Sequence, residues 1–134
     1  MDVYAENILD HYRHPRGKVA PESPTVSHEE INVSCGDALT IQLIINDEKV
    51  TEVGWEGTGC AISQAAMSMM SEELAGKSVA DLEKLTKENI YEMLGVPIGP
   101  RRVKCALLGL HALKNALRKS KDEEVQGWTE TIAE

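Results

Sequence analysis

The chain has 134 residues, 42% hydrophobic and 27% charged, which is the size and balance of one globular domain and excludes a disordered tail. Its 14 basic and 22 acidic residues give a formal net charge of −8, which argues against a surface that tracks nucleic acid or an anionic membrane. There is no apolar run of membrane-spanning length, and Met1–Glu6 lacks the basic and apolar regions of a signal peptide, so a cytoplasmic location is expected.

Apolar residues at Val3, Tyr4, Ile8, Leu9 and Tyr12 suit a short amphipathic helix that Pro15 and Gly17 stop. Pro21 and Pro24 mark a connector. From Glu30 the period becomes two: Ile31 and Val33 in a first strand, then Leu39, Ile41, Leu43 and Ile45 on one face of a second. Asn46-Asp47-Glu48 is a turn signal and 50–55 reads as a third strand, so an antiparallel meander is expected. After Gly57-Thr58-Gly59 the helical period returns with Ile62, Ala65, Ala66, Met69, Met70 and Leu74, up to Gly76. At helical spacing the Met67, Met69 and Met70 cluster reads as core before it reads as a partner surface. Short helical pieces follow from Ser78 to Leu94. A longer helix starts near Arg101 and ends in Lys114, Arg118 and Lys119, as a helix C-terminus prefers. Beyond it the chain is acidic and expected to be flexible, apart from whatever Trp128 contacts.

Three cysteines are an odd number in a chain with no export signal, so free-thiol or metal chemistry is a better expectation than a disulfide framework. Cys35 lies between two strands, followed by Gly36 and Asp37. Cys60 opens one helix after Gly57-Thr58-Gly59, and Cys105 opens another behind Pro100-Arg101-Arg102-Val103-Lys104. Backbone amides at a helix start favour a thiolate, and the basic residues before Cys105 add to this. Any one of the three read alone could be a small buried hydrophobe. Their placement at element boundaries favours a shared site: three thiolates and the Asp37 carboxylate make four donors, which suits zinc, iron or an iron–sulfur cluster. Successive cysteines lie 25 and 45 residues apart without a CxxC pair, so spacing alone does not bring them together.

Other signals are weaker. Gly57-Thr58-Gly59 is not completed to a nucleotide-binding fingerprint, because position 62 is Ile. His11, His14, His28 and His111 read as structural or surface histidines. The pairs Glu72-Glu73 and Asp122-Glu123-Glu124 read as solvated faces.

The segments Asn32-Val33-Ser34-Cys35-Gly36-Asp37, Gly57-Thr58-Gly59-Cys60-Ala61-Ile62-Ser63 and Arg102-Val103-Lys104-Cys105-Ala106-Leu107-Leu108 resemble the three cysteine motifs of the U-type iron–sulfur assembly proteins: IscU, SufU and the NifU N-terminal domain. The opening Ile8-Leu9-Asp10-His11-Tyr12-Arg13-His14-Pro15-Arg16 is similar to the same family. The resemblance runs from about residue 4 to about residue 119, which sets an expected scaffold domain over 1–119 and a flexible acidic tail over 120–134. It implies an α+β fold, a small three-stranded antiparallel sheet packed by four to five helices. It also implies a partly exposed site of Cys35, Asp37, Cys60 and Cys105, with Cys105 as persulfide acceptor and Arg102 and Lys104 beside it. That site would hold a transient [2Fe-2S] cluster, or zinc or iron.

The implied partners are a cysteine desulfurase, apo-iron–sulfur proteins and a second copy of the chain around a cluster; nucleic acid and membrane are not among them. Two functions follow: a non-catalytic scaffold that builds and passes on a cluster, or, as in SufU, a zinc-dependent sulfurtransferase. A small structural zinc domain is the bland alternative. Where the IscU branch has Leu-Pro-Pro-Val-Lys-Leu-His before its third cysteine, this chain has Ile98-Gly99-Pro100-Arg101-Arg102-Val103-Lys104. Lys104 thus replaces a histidine ligand, and the stretch gives no reason to expect docking of a dedicated Hsp70 chaperone. The Arg102-Val103-Lys104-Cys105 form is nearer SufU, whereas the insertion typical of SufU between the second and third cysteines is missing.

Overall fold

Pro15 ends the first helix, because the residue before a proline is driven out of the helical region. Helix α1 spans Val3–Arg13, and the expected connector follows it and is tied to Trp55 and Ser71. Gly17, at φ +73°, turns the chain so that the Arg16 carbonyl accepts from Trp55 Nε1 at 2.7 Å and from Ser71 Oγ at 2.9 Å. The computed structural model describes residues 3–33 and 36–132.

Strands β1 (Val26–Asn32), β2 (Asp37–Asn46) and β3 (Lys49–Thr58) form an antiparallel meander in the order β1-β2-β3. Asp47 and Glu48 both have positive φ, the hand that a tight hairpin turn needs to match strand twist. The register sets Val26 and Val53 beside Leu43, Trp55 beside Ile41 and Gly57 beside Leu39. Alternation then buries Leu39, Ile41, Leu43 and Trp55 on the face that meets the helices.

The first strand differs from its expectation. It begins at Val26, and Ile31 points outward at 52% exposure, with the exposed Val33 beyond the strand end. Its inward positions carry His28 and Glu30 between Val26 and Asn32, so hydrophobic alternation is a poor guide to its face.

Helices α2 (Ala61–Leu74) and α5 (Val103–Ser120) supply most of the second layer. They approach closely at Gly109, where an added Cβ would lie 3.0 Å from Met67 Sδ and 3.2 Å from Met70 Sδ. The methionines are core, as their spacing suggests. Two short helices pack beside α2 and α5: α3 (Val79–Glu83), capped by Ser78, and α4 (Lys87–Leu94), opened by a Thr86–Asn89 capping box. A 3-10 turn, Pro100–Arg102, leads into α5.

The segment after α5, expected as a flexible tail, folds back on that helix and ends in α6 (Trp128–Thr131). The Asn115 side chain bonds the Gln126 backbone at both N–H (2.8 Å) and carbonyl (2.9 Å), and Thr131 is buried. The described residues therefore hold six α-helices where four to five were expected. None of them is long and apolar enough to cross a membrane.

Candidate metal centre

Sheet register builds the first half of the site. Asp37 starts β2, and Ala38 beside it pairs with Thr58 at the end of β3, so Gly59 and Cys60 leave the sheet next to the Asp37 side chain. Asp37 Oδ1 accepts the Cys60 backbone N–H at 3.0 Å, and Oδ2 lies 3.6 Å from Cys60 Sγ. Cys60 is the N-cap residue of α2 and has no side-chain cap bond of its own. The Asp37 carboxylate thus meets one of the unpaired amides at a helix start. Helix α5 delivers the other thiol: Cys105, its third residue, is buried against the same point.

The ligand atoms of Asp37, Cys60 and Cys105 all lie within 4.8 Å of one another. Asp37 and Cys105 are 1% and 2% exposed, and Cys60 is half-buried. Tetrahedral zinc with bonds of roughly 2.0–2.3 Å sets its donors roughly 3.3–3.8 Å apart. The Cys60–Asp37 pair already has that spacing, and a small contraction would bring the third donor in. Two thiolates with a carboxylate suit zinc or thiophilic iron better than the hard ions that prefer all-oxygen sites. Neither α2 nor α5 carries an acid in its first turn, so both helix starts remain positive toward an anionic donor set. Cys35, the fourth expected donor, lies outside the described residues.

Arg102 is exposed at the end of the 3-10 turn. Lys104 places its Nζ 5.7 Å from the centre of the Trp128 ring, so the C-terminal segment engages this cation next to Cys105. Two residues escaped the reading of the sequence. Gly59, at φ +147°, leaves room for the carboxylate: a Cβ there would stand 2.2 Å from Asp37 Oδ1. The Gly57-Thr58-Gly59 run was the available signal. Gln64, one helical turn after Cys60, is 5% exposed and has no hydrogen-bond partner for Nε2 among the described residues, while Lys18 Nζ reaches its Oε1 at 3.5 Å. An amide within the helical run was its only mark.

His11 and His111 are structural. His11 Nδ1 shares a 2.7 Å hydrogen bond with Ser68 Oγ, and burial, then the Arg16 charge, hold it below the ordinary histidine value. His111 stacks on Trp128 at 4.2 Å between centroids and shares a 2.6 Å hydrogen bond with Thr131. Burial lowers its pKa against the upward pull of Glu30. Burial also works to raise the Glu30 carboxyl, but hydrogen bonds from His28 and Asn115, with the nearby His111 charge, outweigh it and hold the group below the ordinary value.

Sheet, helices and the thiolate–carboxylate cluster define an α+β metal-binding domain. Residues 3–126 match the family model described as the NifU-like N terminal domain, and the chain belongs to this family of U-type iron–sulfur assembly scaffolds. It is 34% identical over 133 residues to the iron–sulfur cluster assembly scaffold protein IscU of Thermotoga maritima, covering 87% of this chain and 94% of that one. With the zinc-dependent sulfurtransferase SufU of Bacillus subtilis it shares 30% over 135 residues, covering 87% and 90%. A solved structure from Fervidobacterium islandicum, described as an iron–sulfur cluster assembly scaffold protein for the SUF system, superposes with a TM-score of 0.74 at 31% identity, over 84% of this chain and 94% of that one.

Proposed function

We propose that this chain is an iron–sulfur cluster assembly scaffold: it accepts sulfur from a cysteine desulfurase, assembles a labile [2Fe-2S] cluster as its cargo and passes it to apo-iron–sulfur proteins. The observation that carries this reading is the convergence of Asp37, Cys60 and Cys105 within 4.8 Å. Cys35 is the fourth donor in the proposal, which gives two ligands to each iron without a second copy of the chain.

Sulfur enters at Cys105. Its thiolate attacks the terminal sulfur of the desulfurase persulfide, a new S–S bond forms on Cys105, and the desulfurase cysteine leaves as thiolate with no net oxidation. Reducing that sulfur to the sulfide of a cluster takes two electrons, which an external donor of the ferredoxin or thiol class supplies. The carboxylate fits the scaffold role because oxygen holds thiophilic iron less firmly than thiolate does, so the cargo remains exchangeable.

A second reading is a zinc-dependent sulfurtransferase that relays the same persulfide without building a cluster. The 30% identity to a zinc-dependent sulfurtransferase SufU supports it, and the 3.6 Å Cys60–Asp37 spacing is as compatible with tetrahedral zinc as with tetrahedral iron. One anaerobic experiment separates the two. The protein is mixed with desulfurase, cysteine, reductant and ferrous iron, and visible absorbance is followed before and after an apo-ferredoxin is added. Bands that form on this protein and move to the ferredoxin establish the scaffold. Retained zinc, absent bands and faster alanine production establish the sulfurtransferase. Asp37→Ala is expected to slow cluster release; an unchanged release rate counts against the carboxylate's role.

A further inference from the structure

Cys105 is 2% exposed, yet accepting sulfur requires a partner's persulfide to reach it in line. We propose that the C-terminal segment 124–132 is a clip that holds the first turn of α5 closed over Cys105, with Trp128 as its positioning residue, and that undocking the clip admits the sulfur donor. This inference rests on the sulfur-accepting role proposed above.

The clip follows one stripe of α5. Lys104, His111, Asn115 and Arg118 lie at successive steps of seven, four and three residues, which the helical period places along one side. Every one of them engages the clip. Arg118 Nε donates to the Glu124 carbonyl at 2.6 Å, Asn115 takes both backbone groups of Gln126, and His111 meets Trp128 and Thr131. At the far end Lys104 lies over the Trp128 ring. The segment therefore runs antiparallel to α5, hydrogen-bonded from Arg118 down to His111, and the contact of Lys104 with the Trp128 ring is the one that reaches the turn carrying Cys105.

The start of α5 is held by the core on its buried side, where Ala106, Leu107 and Leu108 are no more than 1% exposed, and more lightly on the exposed side that carries Arg102 and Lys104. Its N-cap, Arg102, makes no side-chain cap bond, and the preceding 3-10 turn contains no buried residue. An uncapped helix start frays unless tertiary contacts hold it. Helix α6 has four residues and no side-chain cap at Gly127, too short to persist by itself. Such a segment belongs to the low-stability end of local opening, where movements that admit a partner occur.

The test uses the full-length, reduced, metal-free protein and iodoacetamide, with alkylation of Cys105 and Cys60 followed separately by peptide mass. Trp128→Ala is expected to speed alkylation of Cys105 on the order of fivefold, the factor that one lost ring contact represents. Cys60, already half-buried and off the clip, should keep its rate. Trp128→Phe, which retains stacking, should return Cys105 close to the wild-type rate. An unchanged Cys105 rate in Trp128→Ala overturns the clip, and so does an equal rise at Cys60, which reports general loosening. Neither desulfurase nor iron takes part. A failed cluster reconstitution with selective Cys105 exposure would sink the scaffold reading alone, and the reverse pattern would sink the clip alone.

Discussion

Replacing Gly59 with Ala tests whether the carboxylate and thiol are positioned as described. At φ +147° an L-residue is strained by about 1–3 kcal/mol. The added Cβ would also stand 2.2 Å from Asp37 Oδ1 and 2.5 Å from Cγ. Asp37 is 1% exposed, so its side chain has no open space to retreat into, and moving it breaks the 3.0 Å bond from the Cys60 N–H. An amide left unpaired in a part-buried setting costs about 1–3 kcal/mol. The expected loss of stability is therefore about 2–6 kcal/mol. Zinc affinity should fall roughly ten- to a hundredfold, the usual effect of disturbing a group that orients ligands. Gly76→Ala is the control, because Gly76 also has positive φ (+86°) but nothing within 4 Å of its added Cβ. Denaturant unfolding of the metal-free variants, followed by circular dichroism, gives the first quantity. Competition with a chromophoric chelator gives the second. If Gly59→Ala loses no more stability than Gly76→Ala and binds zinc as tightly as the wild type, the crowding of Asp37 argued here is wrong.

Stability should depend on pH with a definite sign. His11 and His111 have folded pKa values below the ordinary value of 6.5, chiefly through burial, so the unfolded chain takes up protons first. Their contribution is complete above about pH 6.5 and is lost as pH falls through the lower folded values. Denaturant midpoints measured from pH 7.5 down to 5.5 should decline, and His111→Gln should flatten the decline; a midpoint that rises on acidification contradicts it. Leu107→Ala, at a position 1% exposed in the second turn of α5, should cost about 2–5 kcal/mol by the same unfolding assay. A cost below about 1 kcal/mol would mean that the α5 packing described is loose.

The outline of the fold could be read wherever one kind of residue repeats at one period. Leu39, Ile41 and Leu43 announce β2, and the small and Met residues after Cys60 announce α2. Reading failed where burial is polar. His28 and Glu30 face inward from β1; His28 bonds Glu30, and Glu30 is satisfied by Asn115 and His111, which lie more than 80 residues away in the chain, so no local pattern marks the strand's true start. The C-terminal segment, expected to be flexible apart from whatever Trp128 contacts, gives no stronger local signal for the same reason: its docking depends on Asn115 and His111, polar positions on α5. Placement of Cys60 and Cys105 at helix starts follows from Gly57-Thr58-Gly59 and from Pro100-Arg101-Arg102. Their meeting with Asp37 does not follow from gaps of 25 and 45 residues; it comes from the β2–β3 register and the docking of α5.

On the scaffold reading proposed above, the site binds a cargo and then lets it go, and the Asp37–Cys60 contact bears on both demands. One carboxylate oxygen of Asp37 accepts the Cys60 amide, while the other lies 3.6 Å from Cys60 Sγ, at ligand spacing. The amide bond orients the carboxylate, so little ordering is needed when a metal binds. When the cargo departs, the carboxylate does not become a bare buried charge, because its hydrogen bond and the start of α2 remain. On that reading Asp37 stays paired whether or not the cargo is bound, which narrows the free-energy gap between the two states. A fourth thiolate here would lack that fallback, since sulfur accepts hydrogen bonds weakly, and would favour retention over transfer.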